Sequence, residues 1–517
     1  MEAFRSLGLA VLTAGFLNGA AASPAQHPIF GEATEASQPP ANKLPLVDSQ
    51  ALQDAISIGR LLDRAKDLYE IANLSWPEYN HPTRVIGSKG HHATLEYIRN
   101  AVADFDDYYT GASQSFPAYS GSVFEYRLVL GDEVAHTASP MSLTPPTKNK
   151  QPVHGDLVLI DDDGCSSENY PANLKGNIAF IRRGTCPFGE KSALAGRAGA
   201  TAAVIYNSEN GSLHGTMGTP EDDHVATFGI DLQDAVSILE KLKAGDAVDG
   251  IAYIDAVVSK IVTKNIVIQT VEGDPDNCVM LGAHSDSVSQ GPGINDDGSG
   301  TLSLIEVAIQ LTNFTVKNCV RFAWWSAEEE GLLGSDYYAS QLSTEENLRV
   351  RLFMDYDMLA SPNFAYQVYN ATNAENPTGS EELRNLYVGW YEAHDLNYTF
   401  IPFDGRSDYD GFIRAGIPAG GIATGAEGVK TKEEVDMFGG IAGAWYDACY
   451  HELCDGTDNV NATAWELNTK LVAHSVATYA ASFKGFPKRD SAALVANSGQ
   501  ANKYAQTVKY HGHDFFM

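Results

Sequence analysis

The chain has 517 residues, more than one ordinary hydrophobic core organises, so two to four units of roughly 100–200 residues are expected. Its 35 Lys+Arg against 66 Asp+Glu give a formal charge of −31, which excludes a nucleic-acid partner, whose phosphates need a basic footprint, and argues against docking on anionic lipid. The acidic residues are interspersed and 44% of the chain is hydrophobic, the balance of a globular protein with a solvated acidic surface.

Residues 1–22 read as an export signal. Arg5 supplies a positive charge, residues 7–17 (LGLAVLTAGFL) an apolar core, and Ala20, Ala21 and Ala22 small residues for cleavage before Ser23. The apolar core is too short to span a bilayer of about 30 Å, and no later stretch is long enough. No membrane anchor is expected, and the mature protein is read as secreted. Six cysteines, an even number, suit an oxidising compartment. N-x-S/T sequons at Asn73, Asn210, Asn313, Asn370, Asn397 and Asn461 are candidate glycosylation sites. Residues 23–45, with Pro24, Pro28, Pro39, Pro40 and Pro45 and little periodicity, read as a propeptide, so a zymogen is expected.

From about residue 47 the run LVDSQALQDAISIGRLLDRAKDLYEIA has helical apolar spacing, with Asp48 or Ser49 as its cap. Residues 120–255 read instead as short strands and turns (FEYRLVL, DLVLIDDDGC, NIAFIRRGTC, AAVIYN) around one helical stretch, EKSALAGRAGA. From about residue 262 the texture is α/β. The segments IVIQTVE, CVMLGAH, VRFAWWSA and VRLFMDYDM predict strands, and TLSLIEVAIQLT and GLLGSDYYASQL predict helices. This alternation implies a doubly wound, mostly parallel sheet, with its site beyond the C-terminal ends of the strands. Cys278 and Cys319 each stand one residue before a strand and are paired on that ground. Cys449 and Cys454 clip a loop; a zinc site of C-x4-C type would need two more cysteines.

Polar residues follow the apolar strands where such a site belongs. His284 follows CVMLGA, Asp296 lies in GPGINDDGSG, Glu328 and Glu329 follow VRFAWWSA, Asp357 ends LFMDYDM, and His451 lies in CYHELC. Imidazole and carboxylate donors suit zinc. Counting only one of Glu328 and Glu329, two histidines and three carboxylates are still too many for one tetrahedral ion, and suit two metals about 3.5–4 Å apart with one carboxylate bridging.

The segments GAHSDSV, GINDDGSG, WWSAEEEGLLGS, YDMLASP, GRSDYDGF and CYHELCDGTDNV resemble the co-catalytic di-zinc aminopeptidases, most closely the secreted fungal leucine aminopeptidase and aminopeptidase Y type, over most of residues 50–485. The run from Gly164 to Asn207 resembles the protease-associated (PA) domain that these enzymes carry as an insert, which implies a Cys165–Cys186 disulfide. The resemblance implies a zinc-peptidase fold with an inserted small β-rich PA domain. The expected organisation is a peptidase domain at 46–119 and 256–486, the PA domain at 120–255 and a C-terminal tail at 487–517.

Residue by residue, the resemblance implies two Zn²⁺ per chain. His284 and Asp357 would hold one, Glu329 and His451 the other, and Asp296 would bridge them. Glu328 would be the general base, Asp286 would orient His284, and Tyr450 would stabilise the oxyanion. Arg406 would lie at the substrate end, and the Asp296–Asp297 peptide bond would be cis. Register from GLLGS makes Glu330 the variable member of the three glutamates. Ala360 and Tyr409 replace a common Gly and a frequent His, the latter at the pocket wall. Met358 and Phe412 line the pocket or pack in the core. The expected partner is a peptide with a free N-terminus, with leucine or another apolar residue first, and the expected state is a monomer.

Three rival readings share parts of this pattern. A related carboxypeptidase branch carries a long helical C-terminal region, whereas only about thirty residues follow Phe486 here. A receptor-like binding protein would lack ligands that this chain keeps, and a glutaminyl cyclase relative would use one zinc. Lys488-Arg489 is a candidate processing pair, and His511 and His513 a weak metal-capturing tail.

Overall fold

The computed structural model describes residues 44–208, 211 and 213–497. The export signal, the propeptide segment up to residue 43, the Asn210 sequon and the tail from residue 498 lie outside the described residues. The strands are β1 (Tyr109–Leu130), β2 (Glu133–Val134), β3 (Ser139–Pro140), β4 (Val153–Leu159), β5 (Ile178–Arg182), β6 (Ala202–Tyr206) and β7 (Thr227–Ile230), followed by β8 (Asp249–Thr270), β9 (Asp274–His284), β10 (Asn318–Trp325), β11 (Val350–Tyr356), β12 (Gln367–Tyr369), β13 (Thr399–Ile401) and β14 (Ala419–Ala423).

The parallel strands β10, β9, β11 and β14 lie side by side at the centre of the larger sheet, and β8 and β12 flank them antiparallel. The buried parts of these central strands are mostly apolar, as expected of strands covered on both faces, with Arg321, Arg351 and Asp355 as buried charged exceptions. Alternate residues divide between two layers. Leu352, Met354 and Tyr356 of β11 join the main core beneath the helices Gly298–Leu311 and Ala462–Ala481. Phe353 faces the other way and stacks on Phe412 with ring centroids 3.8 Å apart. Phe412 also packs against Trp325 and Tyr338 and is fully buried, so it belongs to the core and not to a pocket wall.

The helical run from residue 47 is broken in two, Ser49–Asp54 and Ile58–Ala72. Asp48 caps the first by accepting from the Ala51 amide at 2.9 Å. At the break, the Arg60 guanidinium takes the free Ala55 carbonyl at 2.5 Å and the buried Glu306 carboxylate at 2.8 Å. A carbonyl that the helix would have used internally is satisfied by a side chain.

Strands β1 and β8 form an antiparallel ribbon from Tyr109↔Thr270 to Leu130↔Gly250. One end of β8 pairs with β10 and the other with β4, so this ribbon joins the peptidase sheet to the insert. The positions 119/120 and 255/256 fall inside these strands rather than between elements. Within the insert, β4, β5, β6 and β7 are parallel, and alternate residues feed two cores, with Phe180 and Val204 on one face and Ile181 and Ile205 on the other. The three disulfides are Cys165–Cys186, Cys278–Cys319 and Cys449–Cys454. Beyond Phe486 the chain stays docked. Arg489 donates to the Val350 carbonyl at 2.5 Å and to Asn347 Oδ1 at 2.6 Å, and buried Asn497 donates to the Gly416 carbonyl at 3.0 Å.

Candidate metal centre and active site

Because β9 runs parallel to both β10 and β11, their C-terminal ends are neighbours, with His284 opposite Trp325 and Gly282 opposite Asp355. The residues that follow each strand therefore converge. The loop from β9 to the helix Gly298–Leu311 brings Asp296, and the disulfide-closed loop brings His451, whose backbone is left-handed with φ 58°.

Asp296 is the centre of the cluster. Its Oδ1 stands 3.1 Å from His284 Nε2 and its Oδ2 stands 3.2 Å from His451 Nε2. Each imidazole has a further carboxylate of its own: Asp357 Oδ1 lies 3.6 Å from His284 Nε2, and Glu329 Oε2 lies 3.0 Å from His451 Nε2. The second oxygens are occupied elsewhere. Glu329 Oε1 accepts from the Val288 amide at 3.0 Å, and Asp357 Oδ2 accepts from the Ser407 hydroxyl at 3.0 Å. Glu328 reaches His284 Nε2 at 4.0 Å. The five expected ligands and the expected base thus share one cluster, with His284 and Asp296 buried and the others half-buried.

Asp286 lies beside His284 with Oδ1 3.9 Å from Nδ1, beyond hydrogen-bond length. Its two oxygens instead accept the amides of Glu328 and Glu329, each at 3.4 Å. It ties the two glutamates to the imidazole that precedes it.

Asp297 was not singled out as a site residue by its sequence. It lies within ligand distance of His284 and Asp357, yet its carboxylate is already used. Oδ2 accepts the His284 amide at 3.1 Å, and Oδ1 accepts the amides of Gly300 at 2.8 Å and Met358 at 3.2 Å. It is a tie between the ends of β9 and β11 and the start of a helix. The legible signal was its place as helix cap ahead of Gly-Ser-Gly. The Asp296–Asp297 peptide bond is cis.

The electrostatics call for a cation. Burial pushes the Glu328 carboxyl well above the usual carboxylate range, despite His284. Burial alone would depress both imidazoles, but Glu328, Asp296 and Asp357 hold His284 well above its ordinary value, and Glu329 and Asp296 hold His451 up to about 10. Those two imidazoles in turn hold Asp296 low, against its burial. Asp357 Oδ1 is buried and accepts no hydrogen bond. Two imidazole nitrogens among clustered carboxylates, one of which faces both, fit divalent zinc. A divalent ion would replace the protons that the histidines otherwise hold.

Arg406, the expected substrate-end residue, pairs with Glu427 at 2.7 Å. The Tyr409 hydroxyl accepts the amides of Gly405 at 2.9 Å and Arg406 at 3.2 Å, so Tyr409 shapes the Arg406 loop from a buried position. Tyr450 stacks on His451 with centroids 3.8 Å apart. Burial and nearby Glu427 hold its phenol well above the ordinary value, which keeps it a neutral donor. The insert also reaches this wall: the His214 ring stands edge-on to His451.

A carboxylate facing two imidazoles at the carboxyl ends of a parallel sheet suits a metal-dependent hydrolase, and sequence similarity narrows the class. The chain belongs to peptidase family M28, whose pattern it matches over residues 265–476, with a PA domain matched over residues 153–238. It is 52% identical over 458 residues to aminopeptidase Y of Saccharomyces cerevisiae, covering 86% of this chain and 83% of that protein. It is 40% identical over 449 residues to leucine aminopeptidase 2 of Trichophyton rubrum, covering 86% and 88%. In fold it is similar to an aminopeptidase from Aneurinibacillus sp. strain AM-1, with a TM-score of 0.67 at 23% identity over 86% of this chain and all of that one. It is also similar to a zinc aminopeptidase from Bacillus subtilis, with a TM-score of 0.57 at 21% identity over 83% and 97%.

Proposed function

We propose that the protein is a di-zinc aminopeptidase that releases the first residue of peptides with a free amine, with leucine or another apolar side chain preferred there. The observation that carries this reading is the division of the Asp296 carboxylate between His284 and His451, at 3.1 Å and 3.2 Å. His284 and Asp357 would hold one zinc, His451 and Glu329 the other, and Asp296 both. When bound, the pair would acidify a shared water and polarise the scissile carbonyl.

The chain's own groups supply the rest. Glu328, whose buried carboxyl holds a proton more readily than an ordinary carboxylate, receives it from the attacking water and returns it to the leaving amine. The neutral phenol of Tyr450 donates to the oxyanion, and its stacking on His451 fixes its approach. Asp286 holds the backbone of Glu328 and Glu329 still while the proton moves. Relatives named as aminopeptidases support release from the N-terminus rather than the C-terminus of the peptide.

The export signal, three disulfides and the sequons support a secreted, glycosylated protein, and the proline-rich segment 23–45 supports a zymogen. Asn313, Asn370 and Asn397 are exposed, and Asn73 and Asn461 are half-buried. Among the described residues no helix is long and apolar enough to cross a membrane.

A leucine-initiated peptide and its N-acetylated twin, followed by mass spectrometry, test the reading. Stepwise loss from the free-amine peptide alone is expected. Trimming of both from the C-terminus would move the chain to the carboxypeptidase branch. Cleavage of neither by zinc-loaded protein freed of its propeptide would overturn the mechanism.

A further inference from the structure

We infer that Asp455 is a positioning residue that holds the shared carboxylate Asp296 in register with His451, so that both metals depend on it. This rests on the two-metal reading of the centre. Asp455 follows Cys454, which the Cys449–Cys454 disulfide closes into the loop that carries His451. Three successive backbone amides of the Asp296 loop are given to this one residue. Ile294 donates to the Asp455 carbonyl at 3.0 Å, Asn295 to Oδ1 at 2.9 Å and Asp296 to Oδ2 at 3.1 Å. With both oxygens committed and the side chain 1% exposed, Asp455 is neither a ligand nor a base.

The grip is itself braced. Asn459 Nδ2 donates to Asp455 Oδ1 and to both oxygens of Asp447, each at 3.0 Å. Asp447 accepts the Cys449 amide at 2.8 Å and the Asn295 side chain at 2.7 Å. Asn295 Oδ1 in turn accepts the Ala360 amide at 3.0 Å, three residues beyond Asp357. One buried polar network thus joins the segments that bear His451, Asp296 and Asp357. Buried networks of this kind are rigid when every member is satisfied.

An aspartate is required for geometric reasons. Two neighbouring N–H groups need two acceptor oxygens on one rigid fork, and an asparagine presents one oxygen and one NH₂, which would meet an N–H donor. Loosening the Asp296 backbone would swing its carboxylate away from both imidazoles at once. Purely structural damage would instead lower stability without touching the metals.

The test is zinc affinity and stoichiometry of full-length Asp455→Asn by competition with a chelator, beside the melting temperature of the metal-free protein. The visible spectrum of the cobalt-loaded form reports the ligand geometry. The expected result is a loss of affinity of about 10–100-fold, the usual effect of removing a group that orients a ligand, at both sites together, with a changed cobalt spectrum. Asn459→Ser, which removes only the brace, shows a smaller loss in the same sense and decides the matter if Asp455→Asn does not fold. Parent-like affinity and spectrum with only a lower melting temperature would overturn the inference, as would loss of one zinc with the other unaffected. A parent that binds a single zinc would overturn the two-metal reading instead, and the ratio of variant to parent affinity at that one site would still judge Asp455.

Discussion

His214 of the insert stands edge-on to His451 of the peptidase domain, with ring centroids 6.4 Å apart. Its Nδ1 is tied to the Ser139 hydroxyl at 3.2 Å, so the ring is fixed from the insert's side. The insert therefore builds part of the wall beside a candidate metal ligand. Replacing His214 by Ala opens a ring-sized gap next to His451 and Glu427. His214 supplies wall and none of the expected metal ligands, so KM for a peptide is expected to rise a few-fold with little change in kcat. Steady-state kinetics on peptides of increasing length check this, and unchanged KM at every length would show the contact to be idle.

Glu328 separates proton transfer from metal binding more cleanly than any neighbour. Its nearest contact with the imidazoles is 4.0 Å, against 3.0–3.2 Å for Glu329 and Asp296. Glu328→Gln keeps the shape and removes the base. Turnover is expected to fall about 10²–10⁴-fold, the usual contribution of general acid–base catalysis, while zinc content measured by atomic emission stays at the parent level. Loss of zinc in step with activity would make Glu328 a ligand and would exchange its role with that of Glu329.

The convergence of the candidate site is legible in the sequence because chemistry and topology coincide. An apolar strand ending in His284, and others followed by Glu328-Glu329 or Asp357, mark the carboxyl ends of a parallel sheet, where side chains from different strands meet. The ribbon was not legible. Strands β1 and β8 run through the insert's edge with mixed, half-exposed residues, so no change of composition marks where the peptidase sheet stops. Buried charges such as Asp455 and Arg84 were hidden for another reason. Arg84 is fully buried and donates to the carbonyls of Pro292 at 2.8 Å and Gly293 at 2.5 Å, on loops more than 200 residues away in the chain. A charged residue reads as surface until its partners are known, and the partners here are backbone groups with no sequence signature. The docking of Arg489 and Asn497 is hidden in the same way, since hydrogen bonds rather than apolar periodicity hold them.

Tyr450 keeps its stack on His451 without its hydroxyl, so Tyr450→Phe isolates the hydrogen bond. Loss of one preorganised oxyanion donor lowers kcat by about 10²-fold or somewhat more. KM and zinc content are expected to stay near the parent values, because the ring still packs against His451. A rise in KM with unchanged kcat, read from the same kinetics, would place the phenol in ground-state binding instead.

Zinc must displace protons from this centre, and the sign of that competition follows from the imidazoles. Burial would depress His451, but Glu329 and Asp296 hold it up to about 10, above an ordinary value of 6.5. His284 is shifted the same way. In the metal-free protein these imidazolium–carboxylate contacts stabilise the fold fully below about pH 6.5 and lose their contribution as pH rises through about 10. Near pH 7 both rings therefore carry protons that a bound ion excludes. Apparent zinc affinity is expected to climb from pH 6 to pH 8, and titration calorimetry in buffers of different ionisation enthalpy is expected to report release of about two protons per centre filled. A binding heat independent of buffer, with affinity flat across that range, would mean that the histidines are already neutral and that the carboxylates hold their charge without them.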